Sequence, residues 1–186
     1  VRAPAFALTL RCLSVITVSK KVCLLGDFAV GKTSLVRRFV YNIFEDKCLS
    51  TMGVKVSRRV IAVPAADEMV ELAIMLWDLA DSEEFDGVRI SYLRGAAGAL
   101  AVCDMNRPTT VDSLRSYALE LRAVNPHVHL VVAANKADLL GKVKPNEEQI
   151  RTVAAELRAP YFVTSAKTGE HVEDAFRQLG RLLIWE

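Results

Sequence analysis

Apolar and polar positions along the chain alternate between a period of two and a period near 3.6. Lys20 to Gly26 reads as a short apolar strand, and beyond Gly31 the apolar positions Leu35, Val36, Phe39 and Val40 recur at helical spacing. Val54 to Val63 and Met69 to Trp77 are β-rich runs on either side of Pro64-Ala65-Ala66-Asp67, which has the composition of a hairpin connection. In the second run Val70, Leu72, Ile74 and Leu76 fall on one face by strict alternation. Gly98 to Asp104 and Val128 to Ala134 are unbroken apolar runs, the mark of central strands covered on both faces. Between them Thr109 to Asn125 has a helical pattern, with Thr109 and Asp112 spaced as a capping box. Asn146 and Gln149 open a further helix in the same way, running to Arg158. Tyr161 to Thr164 is a last short strand, and His171 to Trp185 a closing helix with Val172, Ala175, Phe176, Leu179 and Leu183 on one face.

Strands alternating with helices predict an α/β domain, a mostly parallel sheet covered on both sides. The hairpin adds one antiparallel edge strand, for six strands in three layers. In such sheets ligands sit at the carboxyl ends of the strands, so chemistry belongs in the loops that follow them. At 186 residues there is room for one domain with a buried core and little more. Residues 1–19 read as an N-terminal extension and 20–186 as the domain. The extension is too interrupted, by Arg11 and polar neighbours, for a membrane span, and its apolar stretch from Ala3 to Leu10 contains Pro4, which makes a poor signal peptide. No cysteine lies near Trp185-Glu186, so no C-terminal prenylation is expected.

Charge narrows the function. With 24 basic against 22 acidic side chains the net charge is +2, too little surplus for a nucleic-acid binder that neutralises phosphates through a basic face. Cys12, Cys23, Cys48 and Cys103 are irregularly spaced with no C-x-x-C pair, which fits reduced, mostly buried thiols in a cytoplasmic protein better than disulfides. His127, His129 and His171 add no ligand cluster for zinc.

The first strand-end loop reads Gly26-Asp27-Phe28-Ala29-Val30-Gly31-Lys32-Thr33, a complete G-x-x-x-x-G-K-[ST] between strand and helix, with Ser34 following in the helix. Backbone N–H groups of such a P-loop wrap phosphates, and the helix N-terminus adds positive potential. Lys32 would reach the β- and γ-phosphates and the Thr33 hydroxyl would ligate Mg²⁺. The loop after the Val128 strand reads Asn135-Lys136-Ala137-Asp138. A carboxylate there can accept two hydrogen bonds, from guanine N1–H and its exocyclic amine, which adenine cannot supply. Asn135 and Asp138 could equally shape a strand-end turn.

Together with Ser165-Ala166-Lys167 after the last strand, these loops resemble a small GTPase of the Ras superfamily, whose fold is the P-loop NTPase arrangement. Tyr92-Leu93-Arg94-Gly95-Ala96-Ala97-Gly98-Ala99-Leu100 and Ser165 to Glu170 look like the Rab-like branch, and the resemblance runs from Lys20 to Leu183. It implies that Asn135 buttresses the loops, Lys136 lays its stem over the base and Asp138 reads guanine. The Ala166 N–H would hold the guanine oxygen and Lys167 would cover the other side. Phe44 stands where the family places an aromatic against guanine, or plugs the end of the first helix. Thr51, in Thr51-Met52-Gly53-Val54, would bind Mg²⁺ and the γ-phosphate as the first switch.

Trp77-Asp78-Leu79-Ala80-Asp81-Ser82-Glu83 resembles the second switch only in part. Asp78 can hold Mg²⁺ through water. Asp81 replaces the family's glycine and Ser82 its water-orienting glutamine. Asp81 could repel the γ-phosphate or, with Glu84, begin a helix. The acidic run Asp78, Asp81, Glu83, Glu84 and Asp86 suits a solvated helix face or a surface for a basic partner, with Arg89 and Arg94 as alternative counterions. Phe28 could block an arginine supplied by an activating protein. The sequence thus points to a monomeric GTP/GDP switch with Mg²⁺ and slow turnover, in which Lys32, Thr51 and the Ser82 position bear on catalysis and the two switch segments meet effectors and regulators. The alternative is a GTP-bound module that recruits a protein without significant hydrolysis.

Overall fold

The computed structural model describes residues 17–45, 53–65, 68–79, 86–139 and 146–185. A six-stranded sheet runs through it in the order β2-β3-β1-β4-β5-β6. The strands are β1 (Thr17–Leu25), β2 (Val54–Ala65), β3 (Glu68–Leu79), β4 (Gly98–Asp104), β5 (His129–Asn135) and β6 (Tyr161–Val163). Only the β2–β3 pair is antiparallel, from Val54 opposite Leu79 to Ala65 opposite Glu68; the other pairings are parallel. The mixed sheet with one antiparallel edge strand is thus present. β1 pairs with β3 from Thr17 opposite Glu71 onward, so residues 17–19 pair within the sheet.

Period-two alternation divides the core. Val22, Leu24, Leu72, Ile74, Leu76, Leu100 and Val102 face α1 (Lys32–Tyr41) and α5 (Val172–Ile184). Cys23, Leu25, Ala99, Ala101, Leu130 and Val132 face the opposite layer, where α2 (Asp86–Leu93), α3 (Pro108–Val124) and α4 (Glu147–Glu156) contribute Leu93, Leu114 and Ile150. The predicted α5 stripe of Val172, Ala175, Phe176, Leu179 and Leu183 is buried, and Phe176 stacks on Phe39 of α1 with centroids 4.0 Å apart.

Two predicted helix starts form by other means. α3 begins with Pro108 after Arg107, with no side-chain cap, because proline presets the first helical φ and has no N–H to satisfy. Asp112 instead pairs with Arg115 at 2.7 Å and accepts from Gln149 of α4 at 2.9 Å. Asn146 precedes α4 in a left-handed conformation without a cap bond, and its amide donates to Met105 O at 3.0 Å.

Among the described residues, no helix is long and apolar enough to cross a membrane. Cys23 and Cys103 are buried free thiols; burial pushes them up to about 11 and about 12. Both therefore stay protonated at pH 8, and the thiolate is the reactive form. The expected result with iodoacetamide is no labelling of either residue in the folded chain and full labelling in denaturant, read by peptide mass spectrometry.

Candidate functional site

At the end of β1 the chain turns through Gly26 at φ 135° and Gly31 at φ 103° before entering α1. A Cβ on Gly31 would lie 2.3 Å from Asn135 Nδ2, so only glycine permits this approach of loop to β5. Lys32 is 6% exposed, and its Nζ donates to Gly26 O at 2.7 Å and Asp27 O at 3.0 Å, folding the loop around its own ammonium. Val30 is buried, Ala29 and Ser34 are half-buried, and the Phe28 side chain is 57% exposed at the lip. Thr33, in the first turn of α1, donates from Oγ1 to Asp78 Oδ2 at 2.5 Å. Asp78, next to last in β3, is buried, so it is no part of a solvated acidic face.

The second loop leaves β5 at Asn135, which is 1% exposed. Asn135 Nδ2 donates to Val30 O at 2.9 Å, while its Oδ1 accepts from Ala166 N–H at 3.1 Å and Thr164 Oγ1 at 3.4 Å. One side chain thereby joins the loops after β1, β5 and β6. Asp138, in a 3-10 turn over Ala137–Leu139, is exposed, and its Oδ1 accepts from the buried Ser165 Oγ at 2.5 Å. Lys136 reaches across to Asp104 at 2.8 Å. Burial alone would push the Asp104 carboxyl up, but hydrogen bonds from Lys136 and the Asn106 N–H, the Lys136 charge and Arg107 together hold it below the usual carboxylate range. The third loop is held from α1: Arg38 donates to Ala166 O at 2.8 Å and Lys167 O at 2.5 Å.

Phe44 is half-buried against the α1/α5 core. Thr51, Asp81 and Ser82 lie outside the described residues, as do Glu83 and Glu84 of the acidic run. Arg89 pairs with Glu120 of α3. Three supports of the site have no motif of their own: Arg38, Asp104 and Arg107, whose Nη2 donates to Phe28 O at 2.8 Å while its Nε meets Asp104 at 3.1 Å. An Arg in a first helix, or an Asp at a strand end, carries no signal of its own without the partner.

All three loops fall inside residues 21–184, the span matched by the Ras family profile. The chain belongs to the Ras family. Among its relatives, the GTP-binding protein ypt5 of Schizosaccharomyces pombe is 33% identical over 175 residues, 93% of this chain and 82% of that protein. The Ras-related proteins RABF2a and RABA6a of Arabidopsis thaliana are 35% and 36% identical, covering 89% and 87% of this chain and 82% and 69% of theirs. The chain is thus a Rab-like small GTPase of the Ras superfamily. For a Ras-family protein the donor set fits its usual ion: Thr33 Oγ1 and Asp78 Oδ2, both hard oxygens, meet where the phosphate loop enters α1, the ligand type Mg²⁺ takes. The family's phosphate cradle is equally consistent, since Gly26 and Gly31, where a Cβ would meet Val102 O and Asn135 Nδ2, let the loop turn tightly against β4 and β5 into the N-terminus of α1.

Proposed function

We propose that the chain is a molecular switch that binds GTP and GDP with Mg²⁺ and hydrolyses GTP slowly to GDP and phosphate. The observation that carries this reading is the Asn135 junction, because it makes the phosphate loop and the two base-side loops one rigid unit. Asp138 would accept from guanine N1–H and the exocyclic amine, and its bond from Ser165 already aims the carboxylate. The Ala166 N–H would be shared between Asn135 Oδ1 and the guanine oxygen. Lys136 and Lys167 would cover the two faces of the base.

Lys32 would exchange its bonds to the loop carbonyls for the β- and γ-phosphates. Thr33, Thr51 and, through water, Asp78 would hold Mg²⁺, which when bound neutralises charge on the phosphates. Catalysis then comes from positioning water in line with the γ-phosphoryl group and from the charge of Lys32. Thr51 would touch the γ-phosphate only in the triphosphate state, so hydrolysis would release the first switch and change what binds there. Effector and regulatory proteins would read the two switch segments.

Ser82 is too short to orient the attacking water as a glutamine amide does, and losing such a group costs on the order of 10²-fold in rate. Asp81 would add negative charge near the γ-phosphate, or with Glu84 begin a helix. The same two residues favour a second reading, a GTP-holding module that recruits a partner without turnover. A single-turnover assay on GTP-loaded protein, with bound nucleotide read by chromatography over hours, separates them. Slow conversion to GDP supports the switch; GTP persisting unchanged selects the module; failure to load guanine nucleotide sinks both. For the switch, Asp81→Gly with Ser82→Gln is expected to raise the rate about 10²-fold. Phe28 stands at the lip where an activating protein's arginine would enter, so stimulation by that route should be weak.

A further inference from the structure

Asp27 is the one acidic side chain in the phosphate loop, and its two ends face different parts of the site. Its carbonyl accepts from Lys32 Nζ at 3.0 Å. Its carboxylate is taken up by α3: Tyr117 OH donates to Oδ1 at 3.1 Å, and Ser113 Oγ lies 2.9 Å from Oδ2, its one hydrogen shared between that oxygen and Thr109 O at 3.0 Å. Ser113 and Tyr117 stand one helical turn apart, and Glu120 continues the same stripe. On that stripe Arg89 of α2 pairs with Glu120 through Nη2 and Nε, with its guanidinium 5.2 Å from the centre of the Tyr117 ring. The Tyr117 ring therefore lies between α2 and the phosphate loop, with a cation against its face and its hydroxyl on Asp27.

We infer that Ser113 and Tyr117 are positioning residues: through Asp27 they set the phosphate loop and its lysine, and through Tyr117 the placement of Arg89 on α2 sets how long nucleotide stays bound. The inference rests on the proposed guanine-nucleotide reading. Its physical basis is that the carboxylate has two hydroxyl donors from one rigid helix, so the loop can move away only by giving up hydrogen bonds to a charged group, which are stronger than neutral ones. Arg89 holds the ring by its face, where a cation is attracted to the aromatic quadrupole. A shift of α2 that withdraws Arg89 removes the contact that holds the Tyr117 side chain in its rotamer, so the whole side chain can swing about χ1 and carry the hydroxyl away from Asp27. By linkage, whatever binds α2 and moves Arg89 changes nucleotide affinity, and nucleotide changes that partner's affinity by the same factor.

Tyr117→Phe keeps the ring beneath Arg89 and removes only the hydroxyl. The measurement is dissociation of a fluorescent GDP analogue from wild type, Tyr117→Phe, Ser113→Ala, Arg89→Ala and the Arg89→Ala/Tyr117→Phe double variant. Melting curves check that each is folded. We expect Tyr117→Phe to release nucleotide about three- to tenfold faster, part of what a bond to a carboxylate is worth, because this bond reaches the nucleotide only through the loop. Ser113→Ala should act in the same direction. Arg89→Ala should speed release in the wild-type background and add nothing in the Tyr117→Phe background, because its route to the loop is already cut. A residue with a merely structural role would give additive effects. Release rates of both hydroxyl variants within twofold of wild type, or additive Arg89 and Tyr117 effects, would overturn the inference while leaving the switch reading intact. Hydrogen exchange across residues 26–33, faster in Tyr117→Phe than in wild type, reads the same coupling without nucleotide; unchanged exchange there overturns it. Wild-type protein that loads no guanine nucleotide would instead remove the reading on which nucleotide residence depends.

Discussion

Asp138→Ala is expected to lower GTP affinity by roughly 10²–10⁴-fold while the chain stays folded. The carboxylate is exposed, and its protein partner is the Ser165 hydroxyl, so removing it opens no buried core. What would be lost is the proposed pair of charge-assisted bonds to guanine, each about 1.5–3 kcal/mol. The same substitution should leave ATP binding, weak from the start, nearly where it was. Equilibrium titration with fluorescent guanine and adenine nucleotides, alongside a melting curve, reads both expectations. A folded variant that still prefers GTP as strongly as wild type would remove Asp138 from base recognition.

Asn135→Ala should act on the fold as well as on binding. Asn135 is buried, and alanine would leave Val30 O and the Ala166 N–H without their present partner. A buried polar group left unsatisfied costs about 1–3 kcal/mol, so the two together amount to about 2–6 kcal/mol. The expected result is a large drop in the denaturation midpoint of the chain without nucleotide, accompanied by weaker binding of every nucleotide regardless of base. That loss of affinity without loss of base preference distinguishes the junction from the base reader, and denaturant titration with nucleotide competition measures both. A variant as stable as wild type would show that the three loops hold their places independently.

The elements that sequence pattern revealed are those with local or periodic signals. Leu72, Ile74 and Leu76 alternate because one face of β3 packs under α5, and Val172 to Leu183 repeats because α5 covers that face; both periods are visible in the residues themselves. The P-loop was legible for the same reason, being contiguous. Capping departs from the local template at Thr109 and Asp112 because Pro108 already starts the helix by presetting φ. The supports of the site were illegible because their partners are remote in sequence. Arg38 holds a carbonyl 128 residues away, Arg107 one 79 residues away, and Tyr117 a carboxylate 90 residues away. Each donor is an ordinary polar residue on a helix or loop until the sheet brings its acceptor near.

The position of β1 has a consequence for how the protein opens. It lies between β3 and β4, covered by both helical layers, with Val22 and Cys23 fully buried. Amide hydrogens of such a strand exchange only through the largest, rarest unfolding events, whereas loop ends open locally at far lower cost. On the proposed reading, the floor beneath the phosphates would belong to the last part of the molecule to come apart, and its rim to the first. A factor that empties the site would need only to pry at the rim, and the chain would give up its ligand many times over without surrendering the strand beneath it.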